Sequence, residues 1–351
     1  MNRHDLALIG FGGVNRALAD LIRTRGDELA EELGFALRVV AITDLRLGSL
    51  VQDEGIDLDA VFALGADDTF AAWPGGAADP RNAEVIRETS ADIVVEATFT
   101  NPLDGEPGVS HVRLALEAGK SVTTTNKGPV ALAGTELNAV AAAHGVHFAY
   151  EGSVVSGTPV LRFAASALQG LRIDAVRGIL NGTSNYVLGQ MEAGMDLATA
   201  VAEAQTLGYA EADPSADIEG SDVRLKVVIL ANEVLGARIT PADVTCMGIT
   251  GLAPADIADA AARGLRFKLV GSAERRADGS IDARVEPMAL PLTHPLAGIS
   301  GPTNAVSFDT DLLGTVTVSG PGAGRVETAY ALLSDIIEID ARVARTAEAK
   351  R

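Results

Sequence analysis

Lys226 lies four residues after Asp222 in the run Ser221 to Leu235 (SDVRLKVVILANEVL). The run predicts a helix that projects both side chains from one face, with Ser221 as its N-cap. The surround of Lys226 is almost wholly apolar. A lysine ammonium is a compact proton donor whose charge yields to its surroundings when partly buried, whereas arginine stays protonated. Only five of the 28 basic residues are lysines, so a lysine held among apolar neighbours points to proton transfer. The competing reading of Asp222 and Lys226 is an ion pair on a helix surface.

Glu211, Asp213, Asp217 and Glu219 cluster just upstream in a proline-containing loop. They read either as a solvated acidic loop or as carboxylates placed to receive a substrate amine. Lys127, in Thr123-Thr-Thr-Asn-Lys-Gly-Pro129, follows a strand-like segment at its carboxyl end, a position suited to chemistry beside a cofactor.

The elements that must position these groups fall into two parts. In the first 150 residues, short β-branched runs (Leu6 to Ile9, Leu37 to Thr43, Ile93 to Val95, Val122 to Thr125, Val146 to Tyr150) alternate with amphipathic stretches. The alternation predicts an α/β domain with a doubly wound, Rossmann-type parallel sheet, whose ligand lies at the carboxyl ends of the strands. Residues 48–82, rich in Gly, Asp, Ala and Pro, are expected as a surface insertion.

From Glu151 onward the pattern changes to an α+β domain. Helices are expected at Pro159 to Leu168, Ser184 to Glu192, Leu197 to Leu207 and Ser221 to Leu235. Strands are expected at Ile173 to Leu180, Ile281 to Leu290, Asn304 to Asp309 and Leu312 to Ser319. Gly320-Pro-Gly-Ala-Gly324 then precedes an amphipathic helix to about Ile337 that returns the chain to the first domain. The expected division is 1–150 with about 320–351 for the dinucleotide, and 151–319 for catalysis and dimerisation.

Gly10-Phe11-Gly12-Gly13-Val14-Asn15-Arg16 sits between the first strand and helix, the context a dinucleotide fingerprint requires. Its first glycine permits the turn, its second lets the backbone approach a pyrophosphate, and the helix N-terminus supplies amide donors. Asn15 stands where a third glycine is usual, and its side chain is placed to touch phosphate. A purely structural glycine turn is the alternative. Asp44, at the end of the second strand, favours the ribose hydroxyls of NAD, while Arg46 suits the 2′-phosphate of NADP, and the choice stays open.

A formal charge of -19 and the absence of a basic block disfavour nucleic acid and anionic membranes as partners. One cysteine, Cys246, excludes an intrachain disulfide framework and fits a reducing compartment. With no hydrophobic leader and no apolar stretch of about 18–20 residues, the expectation is a cytoplasmic enzyme on a small molecule.

Together these segments resemble the homoserine dehydrogenases. The resemblance rests on Gly10 to Arg16, Glu96-Ala-Thr-Phe-Thr100, Thr123 to Pro129, Glu151 to Pro159, Gly178-Ile-Leu-Asn-Gly-Thr-Ser-Asn-Tyr186, Gly208 to Asp217 with Asp222 and Lys226, and Gly320 to Gly324. These motifs span nearly the whole chain. The resemblance implies NAD(P)-dependent interconversion of L-homoserine and L-aspartate 4-semialdehyde on the route to threonine, methionine and isoleucine.

It also implies roles. Glu211 holds the substrate amino group with Asp217 nearby, Asp222 and Lys226 form the polar end of the site, and Lys127 lies beside the reacting oxygen. Thr98, Thr100 and the Gly322 region touch the cofactor. Glu151, with the carbonyls of Val154, Ser156 and Thr158, forms a monovalent cation site for an ion such as Na+. A homodimer is implied, through the Glu151 and Ile281 to Ser319 regions, and the length leaves no room for the regulatory domain some members carry. Two other readings are a dehydrogenase of another small amino or oxo acid and a non-catalytic dinucleotide-binding protein.

Overall fold

The computed structural model describes residues 2–349, with side chains placed as far as Arg345. The chain divides into two compact units, one formed up to Ser153 and from Arg325 onward, the other by Val154–Gly324. No helix among the described residues is long and apolar enough to cross a membrane.

The first unit is built on strands β1 (Asn2–Ile9), β2 (Phe35–Asp44), β3 (Gly48–Val51), β4 (Gly76–Ala77), β5 (Ile93–Glu96), β6 (Ser121–Thr124) and β7 (Phe148–Ala149), in the order β4-β3-β2-β1-β5-β6-β7. Strand β1 pairs in parallel with β2 and β5, and β5, β6 and β7 continue in parallel. Helices α1 (Gly13–Leu33), α2 (Leu58–Phe62), α3 (Asn82–Glu88), α4 (Gly108–Glu117) and α5 (Lys127–His144) make the connections. Leu6, Ala7, Leu8 and Ile9 are all buried, the continuous apolar run expected of a strand covered on both faces. The sheet reverses direction of winding between β1 and β5, so a crevice for ligand opens at their carboxyl ends.

Residues 48–82 are not the surface insertion their composition suggests. Strands β3 and β4 add to the sheet in antiparallel fashion, and Leu50, Val61 and Phe70 are fully buried in the same core as β1 and β2. Those few apolar residues suffice to fold a glycine-rich segment onto the sheet edge.

The one-turn helix α6 (Gly152–Val155) carries the chain across the boundary into the second unit, where α7 (Val160–Arg162) follows. Where one helix is predicted from Pro159 to Leu168, α7 passes into a π-type turn at Phe163–Ala167. Then come β8 (Ile173–Ile179), α8 (Gly182–Glu192), α9 (Leu197–Thr206), α10 (Ser215–Ile218), α11 (Ser221–Leu235), β9 (Val244–Cys246), α12 (Pro254–Ala262), β10 (Leu265–Arg275), β11 (Ile281–Pro291), β12 (Thr303–Thr310) and β13 (Gly314–Pro321). The six strands run in the order β13-β12-β8-β10-β11-β9.

Residues 236–280, to which the sequence pattern assigns no element, contain β10, an interior strand of this sheet. Its register pairs Gly271 with Gly178 of β8. A side chain at 271 would meet Val227 at 2.6 Å and Val223 at 2.8 Å, so glycine there lets α11 settle onto the sheet and fixes the position of Lys226 one residue away.

Helix α13 (Arg325–Ala349) returns the chain to the first unit, where Ala329, Leu332, Leu333, Ile336 and Ile339 join the core beside β1 and α1. Two polar ties accompany that apolar face. Asp335, itself buried, accepts from Thr123 Oγ1 at 2.8 Å and from the Glu151 amide at 3.2 Å. His4 on β1 bridges Asp92 at 2.8 Å and Asp340 at 3.0 Å.

Candidate active site

The glycine turn stands at the carboxyl end of β1. Gly10 has φ +82°, and a Cβ there would sit 2.9 Å from the Ala97 carbonyl oxygen, so both backbone conformation and close approach require glycine. Gly12 is the N-cap of α1. Open space lies where its side chain would be, its helix has no side-chain cap, and the first turn carries no acid. Uncapped first-turn amides beneath open space fit a diphosphate.

Two predicted contacts need correction. Asn15 is fully buried, and its Nδ2 donates to the carbonyls of Gly10 at 2.9 Å and of Ile9 and Val95 at 3.3 Å. Its NH2 group ties β1, β5 and the turn together, while Oδ1 is equally buried and has no hydrogen-bond partner among the described residues, so the side chain is enclosed in the fold and closed off from a phosphate. Phe11 likewise packs inward, edge-on to Phe62 with ring centroids 6.4 Å apart, beside the partly buried Val14.

Asp44 ends β2, and its Oδ1 accepts from the amides of Arg46 at 2.8 Å and Leu47 at 3.0 Å. The Arg46 guanidinium turns away, donating to the Ala66 carbonyl at 2.7 Å and the Asp68 carbonyl at 3.2 Å. That leaves a carboxylate at the strand end and engages the arginine elsewhere.

Glu96, fully buried at the end of β5, organises the next stretch. It accepts from the Thr98 amide at 3.0 Å, from the Thr98 hydroxyl and from Thr124 Oγ1 at 2.9 Å. Burial pushes its carboxyl up. The nearby His111 and the Thr98 and Thr124 donors outweigh burial and hold it below the usual range, although His111 Nδ1 at 3.7 Å is too distant for a hydrogen bond. Glu96 thereby fixes the half-buried Thr98 and the end of β6. Thr100, also half-buried, follows on the same loop. Asn126 caps α5 by accepting from the Gly128 amide at 3.1 Å and donates to the Phe99 carbonyl at 3.2 Å, which sets Lys127 as the first, half-buried residue of α5.

In the second unit, Lys226 and Asp222 form an ion pair at 3.0 Å, and Lys226 Nζ donates to the Leu180 carbonyl at 2.6 Å. Lys226 is 7% exposed, which removes this pair from the ordinary surface class. Asn181 Nδ2 donates to Asp217 at 2.6 Å and to Asp222 at 3.1 Å. Burial, joined by the charge of Asp222, pushes the Asp217 carboxyl up against the Asn181, Thr183 and Lys226 contacts that lower it.

The four upstream acids separate. Asp217 joins Asp222, while Asp213 accepts from the Ser215 amide at 3.0 Å and Glu219 is exposed. Glu211 is exposed on a loop that Gln205 Nε2 anchors through the carbonyls of Glu211 at 3.0 Å and Ala212 at 3.2 Å. Asn181 is the participant that the residue-by-residue reading does not single out. Its signal lies in Asn181-Gly-Thr-Ser184, where its Oδ1 caps α8 by accepting from the Ser184 amide at 2.8 Å.

Gly322 lies against the fully buried Asn304, whose Oδ1 and Nδ2 have no hydrogen-bond partner among the described residues. Any side chain at 322 would strike that amide at 2.1 Å. Glu151, Val154, Ser156 and Thr158 are all buried, and Ser156 takes the left-handed conformation at φ +50°, rare for a residue with a side chain. Thr158 Oγ1 donates to the Pro321 carbonyl at 3.0 Å, and its own carbonyl accepts from Val160 at 2.9 Å.

Residues 159–337 match the family Homoserine dehydrogenase, and residues 10–151 match the family Homoserine dehydrogenase, NAD binding domain. The NAD(+)-dependent homoserine dehydrogenase of Pseudomonas canavaninivorans is 58% identical over 349 residues, covering 99% of each chain. This chain is a member of the homoserine dehydrogenase family. As such it is an NAD(P)-dependent oxidoreductase. The crystal structure of a putative homoserine dehydrogenase from Archaeoglobus fulgidus superposes with a TM-score of 0.85 at 36% identity, covering 97% of this chain and 99% of that one. A hyperthermophilic archaeal homoserine dehydrogenase in complex with NADPH gives a TM-score of 0.81 at 29% identity, covering 97% and 98%. The Rossmann-type parallel sheet with a second, α+β unit is thus the architecture of the homoserine dehydrogenases, as the sequence motifs imply.

Proposed function

We propose that the chain interconverts L-homoserine and L-aspartate 4-semialdehyde, with Lys226 handling the proton at the reacting oxygen. The observation that carries this reading is the buried Lys226 ammonium, oriented by Asp222 at 3.0 Å and by the Leu180 carbonyl. Bound dinucleotide supplies a hydride when reduced and takes one when oxidised. As the semialdehyde is reduced, negative charge develops on its oxygen, and a fixed ammonium both stabilises that charge and delivers the proton. In the reverse direction the amine form takes the hydroxyl proton. Lys127 is proposed as a second cation for the same oxygen, and Glu211 with Asp217 as the carboxylates that receive the substrate ammonium.

NAD is proposed as the preferred cofactor. Asp44 at the end of β2 suits ribose hydroxyls, Arg46 is engaged by the Ala66 and Asp68 carbonyls, and the 58% identical relative is NAD(+)-dependent. We further propose that Gly10, Gly12, Gly13, Thr98, Thr100 and Gly322 contact it. Residues 151–158 are proposed to hold a monovalent cation such as Na+, supported by the left-handed backbone at Ser156. A homodimer is proposed through the second unit, where edge strand β13 pairs with β12 alone and the adjoining turn exposes Leu312 and Leu313.

The decisive assay follows NADH and NADPH oxidation with aspartate semialdehyde against a panel of other aldehydes and keto acids, with homoserine oxidation as the reverse. Turnover confined to the semialdehyde and homoserine supports the reading. Faster turnover of another oxo acid would replace it, and no turnover at all would leave a binding protein. A monomeric mass in solution would remove the dimer.

A further inference from the structure

Lys268, on the interior strand β10, is 2% exposed and, among the described residues, has no carboxylate at hydrogen-bond distance. Its Nζ donates to Asn185 Oδ1 at 2.8 Å and to the Ile299 carbonyl. Burial, helped by the positive charge of Arg266, pushes it down to about 8, and Glu192, whose charge acts against that shift, is itself paired with Arg266 at 2.8 Å. A cation buried on neutral acceptors is a costly way to stabilise a core, where an apolar side chain of similar volume serves as well.

What the ammonium holds lies next to the acidic cluster. Asn185, fixed by Lys268, donates to the Gly301 carbonyl at 2.9 Å and reaches the Ile299 and Thr303 carbonyls at 3.4 Å. The loop pinned in this way abuts the start of α8: a Cβ on Gly182 would sit 2.8 Å from the Pro302 carbonyl oxygen. Gly182 follows Asn181, and Asn185 stands one helical turn after it. The position of Asn181 decides whether its amide meets Asp217 and Asp222.

We propose that Lys268 is a positioning residue for the substrate pocket, acting through Asn185 and the 299–303 loop on Asn181 and thereby on Asp217 and Asp222. The inference rests on the reading of that acidic cluster as the place where homoserine binds. It assigns Lys268 no contact with substrate and no part in the proton transfer.

The test uses the full chain with Lys268→Met, Asn185→Ala and the double variant, measuring KM for homoserine and for NAD separately, together with the melting temperature. Lys268→Met is expected to raise KM for homoserine about tenfold while KM for NAD stays within about twofold and the fold is retained. Asn185→Ala is expected to do the same, and the double variant to be no worse than either single change, because one relay is being cut twice. Unchanged KM for homoserine overturns the proposal, as do equal losses toward both substrates or additive effects in the double variant. Should Lys268→Met fail to fold, Asn185→Ala alone gives the same KM split. A wild-type enzyme that does not oxidise homoserine would overturn the substrate reading first, and this inference with it.

Discussion

Asp217 and Asp222 receive hydrogen bonds from one nitrogen, Nδ2 of Asn181, at 2.6 Å and 3.1 Å. Two carboxylates that close to a common donor repel each other. Asn181 on one side and Lys226 on the other make the arrangement tenable. Asn181→Ala is therefore expected to raise KM for homoserine by about tenfold. It should also cost about 1 kcal/mol of stability, since the same side chain caps α8. Steady-state kinetics and thermal melting measure the two losses separately.

The raised Asp217 carboxyl gives a signed pH dependence. Burial and the charge of Asp222 hold its folded value above the ordinary 3.8, so the folded state retains a proton that the unfolded state gives up between those values. Ionised Asp217 thus works against folding above that window, and the penalty disappears as pH falls through it. Asp217→Asn should melt higher than wild type at neutral pH and bind homoserine more weakly. A lower melting temperature at pH 7 would contradict this account.

Lys226→Met should lower kcat by about 10²–10⁴ while leaving the NAD dissociation constant unchanged. It also strands Asp222 in a half-buried place, so the melting temperature should fall. Adding Asp222→Asn should restore stability without restoring turnover. Lys127→Ala is expected to share the kinetic loss, and wild-type turnover in either lysine variant ends its assignment to the reaction.

The Asp222 and Lys226 pairing was legible because helical spacing alone brings residues four apart together. The scarcity of lysine was a less direct guide. Lys120 and Lys268 are also buried, Lys120 donating to the Thr89 and Ala91 carbonyls at 2.6 and 2.9 Å, so in this chain burial of a lysine does not by itself point to chemistry. Asn181 was hidden in a quoted motif because its partners lie 36 and 41 residues downstream, beyond any local pattern. Strand β10 escaped because Arg266, Lys268, Glu274 and Arg275 break its apolar run. Only the folded unit reveals that Arg266 and Lys268 find partners from α8 and the 297–299 segment. Asn15 reads from sequence as a ligand for phosphate because its three backbone acceptors come from two strands, one of them 80 residues away, and from the turn that follows β1.

For the cofactor, wild type should use NAD with a KM about tenfold or more below that for NADP. Asp44→Ser should narrow that preference mainly by weakening NAD. Arg46→Ala should change the ratio little, since the guanidinium is held by the 66–68 segment. A strong loss of NADP use in Arg46→Ala would reassign the arginine to the cofactor.

His4 predicts a second loss of stability with rising pH, in a higher window. Its hydrogen bond to Asp92 raises it above 6.5 against burial, and Asp340 on α13 adds to the rise. The contribution is fully present below 6.5 and is lost as pH climbs through the raised value. The melting temperature should therefore decline across that window, and His4→Phe should flatten the decline.

The closing helix α13 places five core residues of the first unit after the whole of the second. During synthesis the ribosome must make residues 154–324 before that helix exists, on the order of 10–30 s at ordinary rates. For that interval the apolar surface of β1 and α1 that α13 will cover has no mate. The unit encoded first is the one that finishes last, and the nascent chain must be kept from aggregating until its final helix arrives.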